Sequence, residues 1–548
     1  MKVKVKSIAS TTLLLACLFI MAMSAGCSSE QSGSQATGNA GNASQADKKQ
    51  EIIYAVSKDI NDMNPHLYTG SMHAQGMVYE SLVENTAEGI KPLLAESWDI
   101  SEDGMTYTFQ LRNNVTFHDG SPFNAEAVKR NMEAVQENAK KHSWIKLSSK
   151  IVGMTAIDED TFELKLSEPY YPALVELSMT RPYVFLSPAD FIDGGTKDGV
   201  QGYHGTGPYK LAEHKTDEYA VFQANKDYWG GAPAIQQIVA KVLPAGETTF
   251  LALQTGEVNM VFTDDRGADS LDVDAMERLA ASGKFRIERS DPINTKMIVA
   301  NSSRSDNAVS EKPVRQAIWH AIDRTTISEQ IFDGTETPAH TLFSSNVNYA
   351  NVELAGRDYD PDKARALLEE AGWLLQEGAV VRSKQGQSLS MELYYDVASA
   401  SQKTQAEYLQ SALKEIGIEI AITGEESSSI ANRRATGEYD LLFNQTWGLA
   451  YDPQSTIAAF ASESSYLHTT RGIANADELY QNIEDVMVST DEEKRNEMYA
   501  NILSIVHEEA VFIPITNGSV TVVAASGLQN ITFKQTQFEL PFESMYME

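Results

Sequence analysis

Cysteine occurs only twice in the 548 residues, at Cys17 and Cys27. Both lie in an apolar N-terminal leader, so the chain beyond it forms no disulfide and no thiolate metal site. Long hydrophobic runs are equally scarce. The one from Ile8 to about Met23 is shorter than the roughly 20 residues a spanning helix needs. Positive charge is also short, with 44 Lys and Arg against 76 Asp and Glu and a formal charge of −32. Removing Lys2, Lys4 and Lys6 with the leader takes that value to about −35. So acidic a chain argues against nucleic acid and anionic membrane as partners. The ten histidines have no His-x-x-x-His or Cys/His spacing of the kind metals use. Signatures of catalysis are missing too: there is no Gly-x-Ser-x-Gly elbow, Walker loop, zinc-protease helix or Gly-rich dinucleotide turn. The acid pairs Asp264-Asp265 and Glu425-Glu426 read as solvated loops. The reading is a non-enzyme.

What is present starts with an address. The basic opening Met-Lys-Val-Lys-Val-Lys, the short apolar core and Ser24-Ala25-Gly26-Cys27 describe a secretory signal. It resembles a bacterial lipoprotein signal, with Cys27 lipidated, although Ser24 stands where Leu is usual. Residues 28–49 are rich in Ser, Gly, Asn and Gln and read as a flexible tether. Roughly 500 residues follow, too many for one core, so at least two domains are expected.

Glu51 to Val56 reads as an opening strand, and Met72 to Leu82 as a helix. Tyr107, Phe109 and Leu111 alternate with polar residues, and Val115 and Phe117 resume after Asn113-Asn114, which predicts a β-hairpin. Asn124 caps a helix running to Val135. Further on, Asp360-Pro361 starts a helix that Gly372 stops, and a second amphipathic helix ends at Gly417 before the strand Ile418 to Ile422. Helices alternating with short strands indicate α/β lobes. The apolar strand Tyr439 to Phe443 opens into Trp447-Gly448-Leu449-Ala450-Tyr451-Asp452-Pro453, a loop placed where ligand contacts concentrate.

The block from Ser101 to Val128 resembles the signature of the family 5 extracellular solute-binding proteins, which feed ABC importers of peptides, nickel and opines. Gly205-Thr206-Gly207-Pro208-Tyr209, Asn225-Lys226-Asp227-Tyr228-Trp229, Thr255-Gly256-Glu257-Val258-Asn259 and Val314-Arg315-Gln316-Ala317-Ile318 follow in the family's order. The resemblance implies a two-lobed α/β periplasmic-binding-protein-like fold of the large type, with a ligand cleft between lobes joined by a hinge. The expected boundaries are 50–293 for the first lobe, with an extra subdomain at about 94–205. The second lobe spans 294–515, and 516–548 return to the first. Crossings are expected near Pro292 to Val299 and Ile513 to Thr516.

Local wording such as Asn64-Pro65-His66-Leu67-Tyr68-Thr69 and Thr446-Trp447-Gly448 resembles the family's nickel-binding branch. The resemblance then implies a nickel(II) chelate as ligand, held by Tyr68, Thr69, Met72, Lys141, Trp144, Arg181, Trp447 and Tyr451. An arginine fork suits a carboxylate, and indole and phenol rings enclose the apolar parts. Three positions depart from that branch: Lys141 replaces an arginine, Phe538 a threonine, and Ser465 the direct histidine ligand. His468, three residues on, is the expected metal ligand. Peptides or opine metallophores are the alternative cargo. An Asp that peptide-binding relatives carry after this tryptophan is replaced by Gly448, Leu449 and Ala450. The expected partners are an ABC permease and ATPase. The chain is read as a monomer held at the outer face of a membrane by its lipid alone. Cys27→Ala is expected to abolish palmitate labelling of the full-length protein in growing cells, whereas Cys17→Ala leaves it intact.

Overall fold

The computed structural model describes residues 50–548 except 264–269, 346, 452 and 537. The leader, Cys27, the tether, Asp264-Asp265 and Asp452 lie outside the described residues.

Two mixed sheets carry the architecture. In the first, strands Glu51–Val56, Gln237–Val242 and Met260–Phe262 run parallel at the centre, and Thr521–Ala525 and Phe285–Arg289 close one side. In the second, Asn294–Ala300 lies between Phe512–Gly518 and Leu441–Gln445, with Ser390–Asp396 and Glu419–Glu425 beyond. These sheets organise the two lobes. The chain passes between them twice, at Ser290–Ile293 and at Ser519–Val520, and the crossings lie side by side. Ile293 N donates to Gly518 O at 2.9 Å, and Ser290 N to Val520 O at 3.0 Å. Most of the two segments expected to cross is regular strand of the second sheet, because both are apolar runs that pair with each other. The second strand continues to Gly518, beyond the 515/516 boundary expected.

A separate antiparallel sheet is built from Ala95–Ile100, Thr106–Leu111, Thr161–Leu166 and Ile151–Ala156, in that order. Here the expected hairpin fails. Thr106–Leu111 pairs with Ala95–Ile100 on one side and Thr161–Leu166 on the other, which leaves no free edge for Val115 and Phe117. They turn instead through a Thr116–Pro122 bridge, and both side chains are buried. The alternation was a sound sign of a buried face, but it does not identify the partner strand. Asn124 Oδ1 accepts from Ala127 N at 2.9 Å and caps the helix Ala125–Glu137. Asp360 does the same for Lys363 N in the helix Pro361–Glu370. Gly372 and Gly417, both at φ +85°, end the helices before them as only glycine does without strain.

The first helix, Met72–Val78, stops four residues short of the expected end. The cause is the Gly205-Thr206-Gly207 segment, which lies directly on the helix terminus. A Cβ on Gly205 would sit 2.0 Å from Val78 O, and one on Gly207 2.7 Å from Met77 O. The chain after Val78 is extended and delivers Glu80 to a buried knot. Its carboxyl accepts from Thr206 Oγ1 (2.7 Å), Tyr228 Oη (2.7 Å) and Trp229 Nε1 (3.0 Å), and Arg112 lies over the Trp229 ring at 4.3 Å. Two of the recognisable motifs therefore meet as scaffold. Arg315 is likewise structural, paired with Glu509 at 3.0 Å and 1% exposed.

Burial pushes the Glu80 carboxyl up to about 7, against the pull of its three donors. A folded-state pKa above the unfolded one gives stability that is complete below about 4.5 and lost as pH rises toward 7. Glu80→Gln is expected to remove this slope. Denaturant titrations should show the variant gaining on the wild type by on the order of 2–3 kcal/mol between pH 5 and 7.5, with parallel curves contradicting the assignment.

Candidate functional site

Between the two main sheets lies a cleft of about 270 Å³. Tyr68, Met72, Arg181 and Phe538 line it on the side of the first sheet, and Asp396, Gln405, Arg434, Trp447, Ser465 and Tyr466 on the side of the second.

Trp447 reaches the cleft because its strand ends there. Thr446 exchanges two bonds with Thr295, N to O and Oγ1 from N, each 3.0 Å. Gly448, at φ +105°, then turns the chain away. The released indole stacks on Trp144 with ring centres 4.8 Å apart and planes 16° from parallel. Trp144 belongs to the segment after the single turn Ala139–His142, so this stack joins the two halves of the molecule. Tyr68 meets Trp144 edge-on at 6.3 Å, and the Arg181 guanidinium lies 4.4 Å over the Tyr68 ring.

Arg181 is 9% exposed, and its Nη1 donates to the carbonyls of Thr69 (2.8 Å) and Gly70 (3.0 Å). Those carbonyls point inward because Gly70 adopts φ +81°, where a Cβ would stand 2.5 Å from Asp62 O. Nε is buried with no hydrogen-bond partner, and no acid pairs with this guanidinium among the described residues. Lys296 also borders the cleft, but Glu336 neutralises it at 2.5 Å. The arrangement is a small aromatic slot with an unneutralised cationic fork at its wall. Such a site suits a compact anion with apolar parts.

The remaining expected residues fall elsewhere. Thr69 contributes its carbonyl to Arg181 while its hydroxyl bonds Asp62 O at 3.3 Å. The exposed Lys141 is not among the lining residues. Tyr451 is buried behind the cleft against Phe538 at 5.9 Å, and burial raises its hydroxyl pKa above the ordinary phenol value. Phe538 itself lines the cleft and packs on Trp447 at 5.7 Å, so the departure from threonine adds a ring to the slot. Ser465 lines the cleft, but His468 does not. Its ring fills the space over Gly437, where a Cβ would lie 2.5 Å from Nδ1, and burial lowers its pKa. The single turn Leu467–Thr470 carries it away from the cleft. His66 is held by Thr196 Oγ1 and Val184 O with a pKa pushed down to about 4 by burial, and His73 packs on Phe262. No cluster of three His, Cys, Asp or Glu able to hold a metal occurs among the described residues.

Sequence reading missed the polar wall of the second half. Ser399 and Ser401 open the helix Ala400–Glu415, and Ser427 opens Ser427–Thr436. Short hydroxyl residues near helix starts carry no distinct mark of a ligand role, because the same residue types serve as caps.

Two lobes, two adjacent crossings and a cleft between them define a receptor that encloses a small solute. The chain belongs to the bacterial extracellular solute-binding proteins, family 5, whose profile, described as the family's middle region, matches residues 89–467. It is 37% identical to the nickel-binding periplasmic protein of Escherichia coli K12 over 498 residues, 90% of this chain and 94% of that one. The dipeptide-binding protein of the same organism is 25% identical over 502 residues, covering 86% and 89%. The crystal structure of NikA from Brucella suis in complex with Fe(III)-EDTA superposes with a TM-score of 0.86 at 38% identity, covering 91% and 100%. The protein is thus the extracytoplasmic substrate-binding component of a family 5 ABC importer, which passes its ligand to permease and ATPase subunits. These relatives are solute receptors rather than enzymes.

Stacked aromatic pairs contribute about 0.5–1.5 kcal/mol beyond their buried area. Trp144→Ala is therefore expected to shift the closed-to-open ratio at least twofold toward open. Small-angle X-ray scattering should record a larger radius of gyration for the unliganded variant than for the wild type, and an unchanged radius contradicts a closing role for the stack.

Proposed function

We propose that this protein captures nickel(II) as a complex with a small carboxylate chelator, histidine among the candidates, and delivers it to its importer while held to the membrane through Cys27. The observation that carries the reading is Arg181. It is a buried guanidinium fixed by two carbonyls, with no acid paired to it among the described residues, beside stacked indoles in a 270 Å³ cleft. Such a fork grips a carboxylate bidentately, and the rings exclude water from the rest of the chelate. The chelator brings its own metal donors, so the protein needs no ligand cluster. Similarity to a nickel-binding periplasmic protein, and to a receptor whose structure holds Fe(III)-EDTA, supports cargo of this class.

Capture proceeds by closure. The chelate docks on Arg181, Tyr68 and Met72, and the Trp447 side then closes over it. Ligand stabilises the closed form only by its greater affinity for that form. The peptide alternative keeps one observation in its favour, the carboxylate of Asp396 at the cleft wall. That group already accepts from Ala398 N at 2.9 Å and from Ser427.

Calorimetric titration with Ni²⁺, alone and premixed with L-histidine, tests the proposal. Binding is expected only with histidine present, and Arg181→Ala should weaken it at least tenfold. Tight binding of bare Ni²⁺ would point to protein donors not identified above. Silence in both titrations, with heat from a dipeptide mixture, would assign the cleft to peptides.

A further inference from the structure

The helix Ser427–Thr436 carries adjacent arginines with opposite situations. Arg433 is saturated: Nε and Nη2 donate to the two oxygens of Glu425 at 2.7 and 2.6 Å. Arg434 borders the cleft, its guanidinium 5.4 Å from the Tyr466 ring. Its Nε is buried without a hydrogen-bond partner, and no acid pairs with it among the described residues. Acids are not in short supply, since 76 of them face 44 Lys and Arg in this chain. A cation kept at a cavity wall, against so negative a background, has no anionic partner among the described residues. Leaving a buried donor unmet costs free energy that a ligand oxygen recovers.

Arg181 has the same three properties: it lines the same cavity, its Nε is unmet, and no acid among the described residues neutralises it. It stands on the first half of the molecule and Arg434 on the second, so the cavity has a fork on each side of its opening. We infer that Arg434 is a second carboxylate-binding residue of this cleft, and that the preferred ligand carries at least two separated anionic groups, one for each lobe. This rests on the chelate reading above and narrows it. A metal complex of two amino acids, or of one polycarboxylate, has the required pair of groups, whereas a chelate with a single carboxylate engages one fork only. The division also gives closure a physical drive. The first carboxylate docks on Arg181 in the open form, and the second meets Arg434 only when the lobes close.

The experiment measures affinity of the wild type, Arg434→Gln, Arg434→Lys and Arg181→Gln for two probes: Ni²⁺ with excess L-histidine, and Ni²⁺ with excess histamine, which lacks the carboxylate. Arg434→Gln is expected to weaken the histidine complex tenfold to a hundredfold, with Arg434→Lys in between, because a point charge replaces part of the fork's effect. The histamine complex, which offers neither fork a carboxylate, should bind the wild type at least tenfold more weakly than the histidine complex and lose less than threefold further in Arg434→Gln. Retention of histidine-complex affinity within threefold in Arg434→Gln, with Arg181→Gln still crippled, overturns the second anchor and leaves the chelate reading standing. An equal loss for both probes also overturns it, since a structural role does not distinguish them. Failure of the wild type to bind the histidine complex removes the chelate reading and this inference together.

Discussion

The cleft depends on one interaction, the pair of hydrogen bonds from Arg181 Nη1 to the carbonyls of Thr69 and Gly70. Backbone carbonyls fix the guanidinium without neutralising it, as a carboxylate would. The cost is a buried positive charge whose remaining donors need an anion. The Gly70 turn, the Tyr68 ring beneath the guanidinium and the indole stack beside it all serve that residue's position. A paired arginine here would make a stable wall with nothing to offer a ligand.

The second constraint is the double crossing at Ser290–Ile293 and Ser519–Val520. Two adjacent strands leave one sheet and enter the other in step, tied by Ile293 N to Gly518 O and Ser290 N to Val520 O. Such a link permits rotation of one lobe against the other while keeping their faces in register. An apolar cluster runs through both halves of the molecule, and directed polar and aromatic contacts join them as well. These contacts include the Trp144–Trp447 stack, Lys58 Nζ to Ser427 Oγ at 2.9 Å and the Tyr171–Tyr349 hydroxyl pair at 3.2 Å. A ligand shifts the balance between open and closed forms by its differential affinity for the two.

The fold was legible because local signals agreed with one another. Asn124 and Asp360 cap the helices their sequences predicted, Gly372 stops the second of these and Gly417 the helix Ala400–Glu415, and the apolar opening strand pairs at the centre of the first sheet. The motif series that carried the family resemblance is scaffold in the structure: Thr206, Tyr228 and Trp229 gather around Glu80, and Arg315 around Glu509. Strand partnership was not legible. Tyr107, Phe109 and Leu111 declared a buried face, yet their neighbours lie at Ala95–Ile100 and Thr161–Leu166, choices set by tertiary packing. Of the residues named from sequence, Tyr68, Met72, Arg181 and Trp447 line the cleft, and Trp144 stacks on Trp447. Tyr451 and His468 do not face it, because a single turn of helix after Ser465 rotates the histidine over Gly437. Arg434 escaped notice because nothing in a sequence distinguishes an arginine that has its acid, as Arg433 has Glu425, from one that has none.

Diffraction from crystals grown with Ni²⁺ and L-histidine, recorded at the nickel absorption edge, distinguishes a cleft that takes an intact anionic chelate from one that takes a bare ion. A single anomalous peak is expected between Arg181 and Trp447, surrounded by chelator density, with a carboxylate on the guanidinium and no protein side chain coordinating the metal. A nickel peak ligated by His468 or another histidine, or a cleft filled by peptide with no peak, would contradict this expectation.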